Sequence, residues 1–142
     1  MWLIVNAGSS SLKLKIFDGE REVAKAFVGE IGPDGHAAAM VSGLAQTGIP
    51  VDRLRAAAHR VVHGGTGLTA TCRMTDAVVR QIEECVPLAP LHNPANLVGI
   101  QSVAALAPDL PQYAAFDTAF HATNPEVAVA YALPKQERER GL

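Results

Sequence analysis

Residues 3–17 read Leu3-Ile4-Val5-Asn6-Ala7-Gly8-Ser9-Ser10-Ser11-Leu12-Lys13-Leu14-Lys15-Ile16-Phe17. A short apolar run ends at an asparagine. A glycine and three serines follow, which is turn chemistry. Then apolar and polar residues alternate, so Leu12, Leu14 and Ile16 share one face of a strand while Lys13 and Lys15 share the other. The stretch predicts a buried strand, a tight turn and a half-buried strand. Asp18-Gly19 is a hairpin signal, and Val23 to Val28 is a third strand, bounded by Gly29 and by Gly32-Pro33-Asp34-Gly35. The chain therefore opens with three short antiparallel strands.

Downstream the pattern changes. His36 to Gln46 is alanine-rich and helix-like. Arg55 to His63 predicts a buried strand that delivers polar residues at its far end before Gly64-Gly65. Thr75 or Asp76 caps a helix running to about Cys85. Pro87 and Pro90 close that region. Asn93-Pro94 is a helix start, with Asn93 read as the N-cap, and Leu97, Ile100, Val103, Ala104 and Ala107 form its buried stripe. Tyr113 to Phe116 is a strand ending at Asp117-Thr118, and Pro125 to Tyr131 is a short helix. The charged end, Lys135 to Leu142, is expected to fray. Antiparallel strands followed by alternating helix and strand predict the α/β class, with helices packed on a mixed sheet.

The 142 residues are enough for one domain, and at 49% hydrophobic they can build a core without staples. Twelve basic against fourteen acidic residues exclude a nucleic-acid tail or polybasic membrane patch as the main business. No apolar run reaches the roughly 18 residues of a membrane helix. The start lacks the basic flank of a secretory signal, so the expected compartment is the cytoplasm. Cys72 and Cys85 are too few and too far apart for a disulfide framework or a four-ligand zinc site, and are expected to be inert reduced thiols.

The polar residues cluster just after apolar strands: Asn6 to Ser11, Arg60 to Gly65 and Asp117 to His121, with Leu91-His92-Asn93 at a helix start. Sites in open sheets form outside strand ends. The serine turn offers N–H groups and hydroxyls to an anion, or is simply a serine-rich hairpin. Arg60, in an apolar strand and followed by Val61-Val62, needs an anionic partner: a bound carboxylate or phosphate, or a structural ion pair. His92 faces a ligand at the positive end of a helix, or is a capping or core histidine. Asp117 holds Mg²⁺ or positions a reacting oxygen, or is a solvated turn residue.

Taken together, Val5 to Lys13, His59-Arg60-Val61-Val62-His63-Gly64-Gly65, Ala89-Pro90-Leu91-His92-Asn93-Pro94 and Phe116-Asp117-Thr118-Ala119-Phe120-His121 resemble the N-terminal half of the acetate kinase family. The resemblance extends to about Pro134. It implies one ribonuclease-H-like half of an actin-like ATPase fold. It also implies an enzyme that moves the ATP γ-phosphate to acetate, reversibly, with Mg²⁺ (or Mn²⁺), giving acetyl phosphate and ADP. By position, Asn6 resembles the magnesium-linked asparagine, and Ser9, Ser11 and Lys13 the phosphate-side residues. Arg60 resembles the acetate-binding arginine, and Val62 and Leu91 the wall around the methyl. His92 resembles a phosphate-orienting histidine, and Asp117 the essential acid near the metal. The family is homodimeric, mainly through segments that these residues do not match.

Two departures accompany the resemblance. The stretch between Gly29 and Arg55 is shorter than usual in the family. After Tyr131-Ala132-Leu133-Pro134 the sequence turns to Lys135-Gln136-Glu137-Arg138-Glu139-Arg140 rather than to the family's aromatic and basic continuation. The later parts of the family carry a transition-state histidine, a second essential arginine, the adenine-binding loops and a metal-linked glutamate. The expectation is an N-terminal domain at 1–134, a charged tail at 135–142, and no C-terminal nucleotide-binding domain. Such a chain would be catalytically incomplete. A propionate or butyrate kinase domain and a non-enzymatic remnant of the fold are the alternatives.

Overall fold

The opening alternation builds the centre of the sheet. In the computed structural model, which describes residues 1–32 and 34–139, β1 (Trp2–Ala7) runs antiparallel to β2 (Leu12–Asp18), with Asn6 opposite Lys13. The second hairpin adds β3 (Arg21–Val28) on the far side of β2. Pro33 of the expected turn, and residues 140–142 of the expected tail, lie outside the described residues.

After α1 (His36–Thr47), β4 (Ala56–Val61) returns parallel to β1. A two-residue strand, β5 (Cys72–Arg73), precedes α2 (Asp76–Glu84) and α3 (Asn93–Leu106). Then β6 (Gln112–Phe116) runs parallel to β4. The strand order is β3-β2-β1-β4-β6-β5, a mixed sheet as expected. A 3-10 turn over Asp117–His121 leads to the short helices α4 (Glu126–Val129) and α5 (Lys135–Glu139). Among the described residues no helix is long and apolar enough to cross a membrane.

Period-two alternation gives the sheet two unlike faces. Leu12, Leu14 and Ile16 pack with Leu3, Val5 and the α1 residues Ala39, Met40 and Leu44, and Val103 of α3 joins them. Under α2 and α3 a second cluster holds Val61, Ile82, Leu97, Ile100, Ala114 and Phe116. Leu3, Val5, Leu14, Ile16 and Val61 are essentially inaccessible, and burying such side chains at about 1.5–3 kcal/mol each is what holds helices to strands. The opposite face, with Trp2, Lys13, Lys15 and Arg60, is open to solvent.

Of the two expected helix starts, one holds and one differs. The cap of α2 is Thr75, whose side chain accepts from Val78 N–H at 3.3 Å. At α3, however, His92 occupies the N-cap without a side-chain cap bond, and Asn93 is the first helical residue. The Asn93 carboxamide is taken by the backbone of a strand end instead.

Candidate active site

The parallel arrangement of β1, β4 and β6 brings their C-terminal ends to one rim. Arg60 pairs in register with Ala115 of β6. Ala115 and Asp117 therefore lie on the same face as Arg60 by the strand alternation. Arg60 Nε donates to both Asp117 oxygens at 2.9 and 3.1 Å, and Nη2 donates to Oδ2 at 2.6 Å. On its other side Nη1 donates to Asn6 Oδ1 at 3.3 Å. Three residues from three strand ends thus meet. A guanidinium carries five N–H donors. Nε, one hydrogen of Nη1 and one of Nη2 are engaged, so two remain for a guest. The hydrogen bonds and charge of Asp117 raise the Arg60 pKa although burial opposes them, and a guanidinium stays charged in proteins.

Arg60 was expected inside a buried strand. Its side chain points to the open face instead, and the Arg60 and Asp117 side chains are 50% and 40% exposed. The anionic partner that a buried strand would demand is Asp117, another candidate residue. The ion-pair and ligand-clamp readings of Arg60 are thus compatible, because the pair sits at the surface with donors to spare.

None of the remaining candidates hydrogen-bonds to this centre through its side chain among the described contacts. The serine turn closes through Gly8 N–H to Ser11 O at 2.8 Å, and Ser10 O accepts from Ile31 N–H at 3.0 Å. Ser9 and Lys13 are exposed and Ser11 is half-buried. Val62 follows β4 and is half-buried, whereas Leu91 is 75% exposed. His92 is exposed at the start of α3. For magnesium, Asn6 and Asp117 supply hard oxygen donors of the right type. Mg²⁺ usually takes only one or two carboxylates and fills its octahedron with water and phosphate oxygens. Among the described residues no three His, Cys, Asp or Glu side chains converge on one point, and Asn6 Oδ1 and both Asp117 oxygens accept from Arg60.

Sequence reasoning missed the supports beneath the rim. Buried His36, the first residue of α1, donates from Nε2 to Gly8 O at 2.7 Å and pins the serine turn. Thr118 Oγ1 accepts from Gly64 N–H at 3.1 Å. Gly64 has no room for a side chain, since a Cβ there would lie 2.4 Å from Leu68 O. Asn93 Oδ1 accepts from His63 N–H at 3.1 Å while its Nδ2 donates to His63 O at 3.0 Å. The signal for the asparagines was their spacing. Asn96, Ile100 and Val103 stand at i, i+4 and i+7, so Asn96 occupies a stripe position where an apolar residue is the norm.

Comparisons with known proteins agree with this architecture. The model of the acetokinase family matches residues 35–142. An acetate kinase of Micrococcus luteus is 44% identical over 99% of this chain and 40% of its own length. One from Streptomyces griseus is 42% identical over 92% of this chain and 39% of its own. Crystal structures of Porphyromonas gingivalis acetate kinase and of a Francisella tularensis propionate kinase superpose with TM-scores of 0.84 and 0.83. Their identities are 31% and 28%, and they cover 98% and 99% of this chain and 42% of the solved chains. The fold is accordingly that of a part of the actin-like ATPases. The chain spans about 40% of the length of the curated relatives it matches. With its four motifs, its sheet order and these likenesses, the chain belongs to the acetokinase family.

Proposed function

We propose that these residues form the acetate-side part of a cytoplasmic kinase that transfers the terminal phosphoryl group of ATP to acetate. One observation carries the reading: a permanently charged guanidinium stands at the meeting point of three strand ends, held by Asp117 and Asn6, with two donors unspent. A carboxylate guest takes those donors in bidentate fashion. In the reaction an acetate oxygen forms a bond to the γ-phosphorus, and the bond from that phosphorus to the ADP oxygen breaks. Both partners are anionic, so the chemistry needs alignment and cations more than covalent help.

Arg60 fixes the carboxylate and offsets part of the repulsion between the anions. Lys13, Ser9 and Ser11 face the phosphates, and His92 orients the transferring group. Asn6 and Asp117 would hold Mg²⁺, which supplies charge neutralisation on the phosphates. Val62 and Leu91 form the wall against the methyl group.

Nuclear magnetic resonance of the labelled chain tests this. Acetate should shift the Arg60 Nε–H and Val62 amide signals, and Arg60→Ala should abolish the response. Unchanged spectra at high acetate, or an unaltered response in Arg60→Ala, would remove the basis of the assignment. The 142 residues span about 40% of the relatives' length and on their own should give no turnover; hydroxamate formation well above the blank would refute that. Propionate is the second reading, favoured by the likeness to the Francisella propionate kinase and by the exposure of Leu91. One methylene discriminates by only about 1–3 kcal/mol, so half-saturation by acetate and propionate should differ by no more than about 200-fold.

A further inference from the structure

The ladder between β1 and β4 ends at Val5 opposite His59. Beyond that pair β1 and β4 no longer pair with each other, yet this is where Asn6, the serine turn, Arg60 and Val62 lie. One side chain bridges the gap. Asn96 of α3, 3% exposed, donates from Nδ2 to Ala7 O at 2.7 Å and accepts at Oδ1 from Val62 N–H at 3.1 Å. Its carboxamide has the same donor and acceptor as a peptide unit. Among the described residues it is the one side chain that bonds the main chain of both strand ends. Its neighbour Asn93, fully buried, bonds His63 on both sides. The helix lies close enough for this because Gly99, one turn on, faces Ala7. A Cβ there would be 2.9 Å from the Ala7 Cβ.

The geometry points to Asn96 as a positioning residue that sets the distance between the phosphate-side turn and the carboxylate-side Arg60–Val62 segment. A carboxamide buried under α3 costs free energy unless both its ends are satisfied. Here both are satisfied by the backbone of the two segments whose separation matters. The ligand part of this inference rests on the kinase reading, but the positioning itself does not.

The test uses the ¹⁵N-labelled chain in four forms: wild type, Asn96→Leu, Asn96→Asp and Ser102→Ala. Ser102 is also buried on α3 but donates only to Val98 O of its own helix, at 2.7 Å. It therefore reports loosening of the helix alone. Asn96→Leu should move the Ser9–Ser11 amide signals and the Arg60 Nε–H signal together. It should also raise the acetyl phosphate concentration for half-saturation at least tenfold, while Ser102→Ala does neither. In Asn96→Asp burial favours the neutral acid, which keeps both a donor and an acceptor, so the turn signals should move toward wild type as the pH is lowered from 8 to 5. At pH 8 the carboxylate cannot donate to Ala7 O, and the turn signals should depart. A residue that merely stabilises the fold gives neither the paired shift nor the reversal with pH.

The inference is overturned if Asn96→Leu lowers the melting temperature but leaves turn, Arg60 and half-saturation at wild-type values. Should Asn96→Leu not fold, the Asn96→Asp comparison decides, and a turn with the same pH behaviour as wild type overturns it. If wild type ignores acetyl phosphate, the kinase reading fails while the ligand-free spectra still judge Asn96.

Discussion

His59 and Arg60 are neighbours on β4, yet they belong to different worlds. His59 points under α3, is almost inaccessible, and has Nε2 hydrogen-bonded to the Gln112 carboxamide at 2.7 Å and Nδ1 without a partner. Burial with no counter-charge pushes its pKa down to about 4, although the Gln112 bond works the other way. Arg60 points to the open face, where a carboxylate holds it charged. One strand thus serves both halves of the molecule. Its helix side must be neutral and close-packed, and its open side can display charge cheaply because water and Asp117 share the solvation. The difference teaches that the alternation of β4, more than any single residue, separates stability from chemistry.

The sharpest way to break this division is to exchange effects across it. Leu14 and Lys13 are adjacent on β2 and face opposite ways. Leu14→Ala should cost about 2–5 kcal/mol in urea unfolding, through lost burial and the cavity left behind. Lys13→Ala should change stability by no more than about 0.5 kcal/mol. Equal costs would mean that the open face is not open.

The second effect is pH dependence. The unfolded chain protonates His59 near its ordinary pKa of about 6.5, but the folded chain resists until about 4. Between those values the unfolded state binds more protons, so stability must fall as the pH is lowered. The loss should be about 3 kcal/mol at 1.36 kcal/mol per unit. His59→Leu should flatten that part of the stability profile measured by urea titration at each pH. A slope unchanged by the substitution would place the acid sensitivity elsewhere.

Smaller effects sharpen the boundary. Thr75→Ala removes the α2 cap and should cost about 1 kcal/mol in thermal unfolding, without altering ligand response on the far face. Asp117→Asn takes the charge from a half-exposed pair, and such pairs contribute about 0–1 kcal/mol. Its midpoint should hardly move, while the Arg60 Nε–H resonance shifts strongly. A large loss of stability would recast the pair as a structural strut.

Much of this was legible beforehand. The alternation over Leu12–Phe17 located β2 and its two faces, and of the polar residues singled out at strand ends, Asn6, Arg60 and Asp117 meet. Arg60 and Asp117 were each singled out for a need or a capacity that the other meets. What stayed hidden has physical reasons. β5 is two residues long, too short to carry a period. Its place is set by pairing with β6, with Cys72 opposite Ala114. The contact from His36 to Gly8 spans 28 positions and leaves no local trace. Asn93 looked like a cap because local chemistry favours that role, but the unpaired backbone around His63 competes for its carboxamide and wins.

The link from Arg60 to Asp117 spans 57 positions, and it has a bearing on biosynthesis. A ribosome releases the chain from the N-terminus, so the first hairpins can pair while β6 is still untranslated. Until residue 117 emerges, the guanidinium has no carboxylate beside it, and β4 presents a bare edge where β6 will dock. The rim is therefore completed only after β6 has emerged and docked beside β4.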